Sequence, residues 1–246
     1  MRLFVAVTPP APVLDELARR VGHLRELPGA DGLRWFPREN WHLTTTFLGE
    51  VADPEREELE AALAAAAGRY GPFGIALVGG GRFGDRTLWT DVEGDREVLV
   101  ELAGAMDDAA RACGVRIDDR PYRPHLTLAR GPRPHGRRRG HGEGSGDGGD
   151  GSGGGGGRAG HGRHGRSRAR GGYRGPGPGY GDPWAEERER VRGPSLAPFA
   201  DALADYRSRP WTVDAVELVS STLRAGPGGS SRYETVRTWP LAAAGG

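Results

Sequence analysis

The sequence predicts an α+β domain: two similar lobes, each an antiparallel sheet with helices packed outside it, meeting at a central groove. Three observations predict this. Runs with the two-residue period of strands alternate with runs of helical period, giving the order β-α-β-β-α-β-β-α-β, an interruption, then α-β-β. The pattern His-x-Thr occurs twice, at His42-Leu43-Thr44 and His125-Leu126-Thr127, and each copy lies in a strand of a different half. Finally, 22 of the 43 glycines fall in residues 132–181. Without that tract, two flanks of ordinary composition remain. They define one domain from residues 1–131 and 194–241, with 132–193 as a Gly/Arg-rich insertion and 242–246 as a tail.

Taken in order, Leu3 to Val7 is a short buried strand. After Pro9, Pro10 and Pro12, the spacing of Val13, Leu14, Leu17, Val21 and Leu24 marks an amphipathic helix. Leu33 to Phe36 is a strand ended by Pro37 and leads into the first motif strand, which Gly49 is expected to break. Alternation there puts His42, Thr44 and Thr46 on one face and Leu43, Thr45 and Phe47 on the other. Asp53-Pro54 reads as an N-cap followed by a first-turn proline, opening a helix from Glu55 to Tyr70. Phe73 to Val78 and Thr87 to Val92 are strands flanking a glycine-rich turn at 79–81, and Arg96 to Cys113 is the third helix. Val115 to Ile117 is a strand end before the second motif. Beyond the insertion come a weakly ordered charged run, Trp184 to Arg192, and a helix from Leu196 to Tyr206. A hairpin of Val213 to Leu223 with Tyr233 to Leu241 turns across residues 226–229.

The tract at 132–181 has no hydrophobic periodicity, and glycine this dense cannot offset the entropy of ordering, so it is expected to be disordered. Its ten arginines face only Glu143, Asp147 and Asp150, so the rest of a chain of net charge +1 is mildly acidic. The expectation is a basic arm able to touch RNA phosphates without sequence preference; a tolerated insertion with no role is the equal alternative. Its histidines, 135, 141, 161 and 164, offer no specific metal site. Cys113 is the single cysteine, which excludes an intramolecular disulfide framework and a cysteine zinc cluster. No run approaches the roughly 20 apolar residues of a membrane span. A monomer in the cytoplasm, without membrane contact, is expected.

In each motif strand the histidine and threonine are two residues apart and project together. Free imidazole titrates near pH 6.5, so a pair can hold one neutral and one protonated ring. Such a pair can move protons in opposite directions on either side of a phosphorus atom. The two hydroxyls can donate to non-bridging phosphate oxygens as charge develops there. No metal or other cofactor is needed, and no carboxylate or cysteine stands at ligand spacing in either motif.

These residues resemble the two-histidine (2H) phosphoesterase superfamily, and within it the bacterial RNA 2′,3′-cyclic phosphodiesterase / 2′-5′ RNA ligase family. The resemblance rests on Arg2-Leu3-Phe4-Val5-Ala6-Val7, Asn40-Trp41-His42-Leu43-Thr44 with Phe47-Leu48-Gly49-Glu50, and Gly81-Arg82-Phe83 with Leu88-Trp89. It continues through Pro124-His125-Leu126-Thr127-Leu128-Ala129-Arg130 and Ser221 with Tyr233 to Leu241. It covers both flanks, in order, and omits 132–181. It implies the two-lobed 2H fold and opening of RNA 2′,3′-cyclic phosphate ends to 2′-phosphate, with 2′-5′ ligation as the reverse. His42 and His125 would be the catalytic pair, with Thr44 and Thr127 contacting phosphate. His42 is assigned as proton donor to the leaving 3′ oxygen and His125 as proton acceptor from water; the residues alone permit the reverse. Two positions depart from the family pattern: Thr45, where an aliphatic residue is common, and Asp91, where small residues are usual.

Arg130 sits at a strand end before Gly131. Strict alternation puts it opposite His125, yet direction is loose there, and a phosphate or RNA-backbone contact is assigned to it. Phe47 and Trp89 are expected in the core and Thr46 is treated as structural, while Phe83 and Tyr122 are weaker candidates for stacking on a base. The alternative functions are a phosphodiesterase on another small cyclic nucleotide, and an RNA-binding protein without turnover.

Overall fold

The computed structural model describes residues 1–132, 195–226 and 231–242 of the 246. The expected insertion beyond Pro132, the charged run at 184–192, most of the hairpin turn at 226–229 and the tail beyond residue 242 lie outside those residues. The elements are β1 (Arg2–Val7), α1 (Ala11–Leu24), β2 (Arg34–Trp35), β3 (Leu43–Glu50), α2 (Asp53–Ala67), β4 (Phe73–Phe83), β5 (Thr87–Gly94) and α3 (Arg96–Ala112). After β6 (Leu126–Arg130) follow α4 (Ala197–Asp201), β7 (Trp211–Val213), β8 (Ala215–Thr222) and β9 (Arg232–Pro240).

Eight strands run in the order β7-β4-β5-β6-β3-β1-β8-β9, and β2 pairs separately with β6. Every strand pairing among the described residues is antiparallel. The two motif strands are central neighbours, joined through the pair Leu43 and Leu126. Outward from each, the succession is alike: β6, β5, β4, β7 on one side and β3, β1, β8, β9 on the other. This is the expected two-lobed α+β architecture, with the lobes as two four-stranded halves of one sheet.

One face of that sheet carries the main core. Leu3, Val5 and Val7 of β1, Leu43 of β3 and Leu126 and Leu128 of β6 share it with Val13, Leu17 and Val21 of α1, Leu59 and Leu63 of α2 and Leu99, Leu102 and Met106 of α3. These helical positions recur at three- and four-residue spacing, and so each helix buries a stripe. Each fully buried leucine contributes about 1.5–3 kcal/mol. Among the described residues the other face has a small cluster, Phe4, Ala6 and Val219, with Tyr233 packed on it. That second face is where both motif histidines lie.

Several local expectations need correction. The glycine run at 79–81 is no turn: β4 continues through it to Phe83, with a register shift between Val78 and Gly81, and the turn falls at residues 84–86. The glycines serve close approach. A Cβ on Gly81 would stand 2.2 Å from the Trp89 ring, and one on Gly80 2.4 Å from Leu203. Gly49 does not end β3, because its φ of 72° lets the strand absorb an irregularity and continue to Glu50. Asp53 is the first residue of α2 rather than its cap, and the helix stops at Ala67. Val115 to Ile117 forms no strand; the Val115 N–H instead donates to the Ala110 carbonyl at the end of α3. Only Ala197–Asp201 of the last expected helix is α-helical, and Trp211–Val213 is a strand of its own on the far edge. No helix among the described residues is long and apolar enough to cross a membrane.

Candidate active site

The pairing register decides which side chains reach the second face. Along β1, Phe4 and Ala6 lie on one side and Val5 and Val7 on the other. Ala6 is opposite Thr44 and Val5 opposite Thr46, so Thr45 is an extra residue in β3, a β-bulge. The bulge shifts the alternation by one. Phe47 therefore comes opposite Phe4, on the face of Thr44, while Thr46 turns into the main core. The second motif strand does the same. Trp89 is opposite Thr127 and Leu88 opposite Ala129, which leaves Leu128 as the extra residue. Arg130 then comes opposite Thr87, and Thr87 shares a face with Trp89. Arg130 thus rejoins the face of His125 and Thr127.

Both expectations drawn from strict alternation are overturned by these bulges. Thr46 is only 1% exposed and does not share the His42 face, and Phe47, expected in the core, is 68% exposed. Trp89 is buried as expected, but among groove-side rings. Tyr122 packs against the main core with its hydroxyl buried, away from any stacking position on the groove. Thr45 donates its hydroxyl to the Val5 carbonyl at 3.1 Å, which satisfies its buried polar group.

His42 immediately precedes β3 and is half-buried. Its ring stacks on Phe4 at 4.8 Å between centroids and meets Tyr233 edge-on at 5.3 Å. Asn40 holds the neighbouring end of β9 by donating Nδ2 to the Ser231 carbonyl at 3.0 Å. His42 Nε2 lies 3.0 Å from Thr44 Oγ1. A neutral ring with its hydrogen on Nδ1 accepts a hydrogen bond from the hydroxyl there, and a protonated ring donates one. Burial drives the His42 pKa down to about 4; the Asn40 backbone opposes this and His125 adds to it.

His125 lies just before β6, with Nδ1 2.7 Å from the Arg123 carbonyl. A carbonyl only accepts, so Nδ1 carries the proton and Nε2 is the free position of the neutral ring. Phe83 meets the ring edge-on at 5.0 Å and Trp89 at 6.1 Å. The Arg123 guanidinium lies 4.5 Å over Trp89 and 5.6 Å from Phe83. The His125 pKa is also lowered, chiefly by burial and further by Arg123, against the Arg123 carbonyl and Asp91, which raise it. Asp91 is paired with Arg96.

The structure thus brings His42, Thr44, His125 and Thr127 to one face of two adjacent strands, each threonine half-buried like its histidine. Arg130 is on that face too, further along β6, with its guanidinium 5.6 Å over the Phe36 ring. Sequence reading missed Arg123, Phe4 and Tyr233 as supports of the two rings. The only signal for Arg123 was its place two residues before His125. Among the described residues, no three His, Cys, Asp or Glu side chains gather as a metal site would require.

The lowered pKa of His42 has a consequence for stability. An unfolded chain takes up a proton on this ring near pH 6.5, whereas the folded one resists until about pH 4. Stability present above pH 6.5 is therefore lost as the pH falls through that window. Denaturant melts at several pH values should show this decline. The decline should be shallower in His42→Gln, and an identical slope would contradict the burial of a neutral ring.

A family model described as the 2′-5′ RNA ligase superfamily matches residues 13–140, a range that holds both motif strands. A protein of Geobacillus stearothermophilus named RNA 2′,3′-cyclic phosphodiesterase is 38% identical over 100 residues, 39% of this chain. The match spans 32% of that relative's length. One of the same name from Archaeoglobus fulgidus is 34% identical over 135 residues, 53% of this chain and 72% of its own. A crystal structure from Thermus thermophilus superposes with a TM-score of 0.60, covering 100% of both chains at 22% identity, a likeness of fold.

Proposed function

The chain belongs to the 2′-5′ RNA ligase superfamily, and from that premise we propose that it opens RNA 2′,3′-cyclic phosphate ends to 2′-phosphates by two-histidine acid–base catalysis. Ligation to a 2′-5′ linkage is the reverse reaction, with a ribose hydroxyl in place of water. The observation that carries the reading is the placement of His42 and His125 on one face at the junction of two adjacent strands, each with a threonine two residues on.

In this reading His125 Nε2 takes a proton from water, and the water oxygen attacks phosphorus. The bond from phosphorus to the 3′ oxygen breaks, and His42 gives its proton to that oxygen. The phosphate stays on the 2′ oxygen. Thr44 and Thr127 donate hydroxyl hydrogens to the non-bridging oxygens, where negative charge grows.

Both rings are held below the usual imidazole range in the free protein, which fits a site that draws its working proton in with the substrate. A bound phosphodiester is an anion and favours the protonated form of a nearby ring. Because His125 disfavours a charge on His42, one proton on the pair is easier to hold than two. That is the state the reaction needs. The Thr44 hydroxyl, freed from donating to the ring when His42 Nε2 itself becomes a donor, turns to the phosphate.

The test is incubation with a short RNA ending in a 2′,3′-cyclic phosphate, chelator present. The cyclic end is expected to disappear. No turnover, or turnover restored only by added metal, would overturn the proposal.

A further inference from the structure

Phe47 is the most exposed large apolar side chain among the described residues, at 68%. It is no stray surface ring. The bulge at Thr45 turns it onto the groove face, opposite Phe4. Its centroid lies 6.2 Å from that of Phe4, which in turn is stacked on His42. Phe4 is buried with His42 and Phe47 both against it, and of the two phenylalanines it is Phe47 that presents an open ring face.

The other half of the groove differs. At the corresponding place, five residues beyond the motif histidine and just past its own bulge, stands Arg130 instead of a ring. Phe83, the exposed ring on that side, already has His125 against it and the Arg123 guanidinium 5.6 Å away. An incoming planar group finds open aromatic surface on the His42 side.

The proposed reaction also fixes which side the RNA occupies. If water is activated by His125 and the 3′ oxygen leaves toward His42, then the ribose, and the chain attached to it, lie on the His42 side. A 2′,3′-cyclic phosphate is at the 3′ end, so the chain can extend only in the 5′ direction.

We propose that Phe47 is a stacking platform for the base of the nucleotide 5′ to the reacting end, so that the site selects RNA chains over cyclic mononucleotides. This deepens the function proposed above and rests on it. Stacking of a base on an aromatic side chain is tolerant of sequence, so the selection is for a chain rather than for a given base. Phe47 touches no reacting atom and acts in substrate binding.

The test compares kcat/KM for a dinucleotide with a cyclic end against that for the corresponding cyclic mononucleotide. In Phe47→Ala the preference for the dinucleotide should fall roughly tenfold or more, and Phe47→Trp should retain it. A dinucleotide lacking its 5′ base should be turned over no better by the wild type than by Phe47→Ala. An unchanged preference in Phe47→Ala would overturn the inference. Should the wild type turn over neither substrate, the function proposed above fails, and Phe47 is then read from binding of the dinucleotide 2′-phosphate. Weaker binding by Phe47→Ala than by the wild type upholds the stacking role, and equal binding overturns it.

Discussion

Replacement of either His42 or His125 by alanine is expected to lower kcat/KM on an RNA 2′,3′-cyclic phosphate by about 10²–10⁴-fold, the usual worth of a positioned acid or base. The two substitutions should not add. Each ring's proton transfer has value only while the other is in place, so the double variant should be little worse than the poorer single one. The fold provides the control. His125 packs at the groove rim against Phe83 and Trp89, and His42 lies on Phe4 and Tyr233 rather than in the main core, so cooperative unfolding should persist in both variants. Fully additive losses, or losses matched by unfolding, would argue that the rings act separately or only as structure. The threonine hydroxyls should count for less than the rings, because in the proposed mechanism each donates a hydrogen bond to the phosphate but moves no proton.

The proposed division of labour between the rings predicts a second large effect. A leaving group that needs no proton makes the general acid superfluous and leaves the base essential. On a p-nitrophenyl phosphodiester, whose phenolate departs unaided, His42→Ala should regain most of its lost activity, by roughly 10²-fold relative to its RNA defect. His125→Ala should remain impaired on both substrates. The opposite pattern, with His125→Ala rescued, would exchange the two roles while keeping the pair. The lowered pKa of His42 in the free protein does not by itself decide this. Because burial holds both rings below the ordinary imidazole value, kcat/KM is expected to fall about tenfold per pH unit as the pH rises above that value.

The parts of the site closest to the motifs were legible because they precede any irregularity. His42 and Thr44, like His125 and Thr127, are two residues apart, and the pleat alone puts each pair on one side. Beyond Thr44 and Thr127 alternation fails. An extra residue at Thr45 and another at Leu128 reverse the phase, and neither position carries the glycine that would have marked a bulge. A bulge of this kind is set by the partner strand's register, so Thr46 and Phe47 could not be placed from their own neighbours. The same irregularity brought Arg130 to the groove, where strict alternation had turned it away. Glycines 79–81 misled for a related reason: loss of side chains there makes room for Trp89 and Leu203 rather than for a turn. The order of the main elements was legible throughout, since the helical stripes and apolar strand runs are long enough to carry their period. That the lobes would be halves of one sheet was not, because among the described residues β3 and β6 are joined through the single pair Leu43 and Leu126.

The most direct measurement is the identity of the product. An RNA with a 2′,3′-cyclic phosphate end, incubated with the protein and chelator, should yield a 2′-phosphate monoester and no 3′-phosphate, as read by phosphorus NMR against authentic isomers. Neither His42→Ala nor His125→Ala should form it at a comparable rate. A 3′-phosphate product, or a 2′-phosphate formed equally well without either ring, would contradict a histidine pair working across the 3′ oxygen.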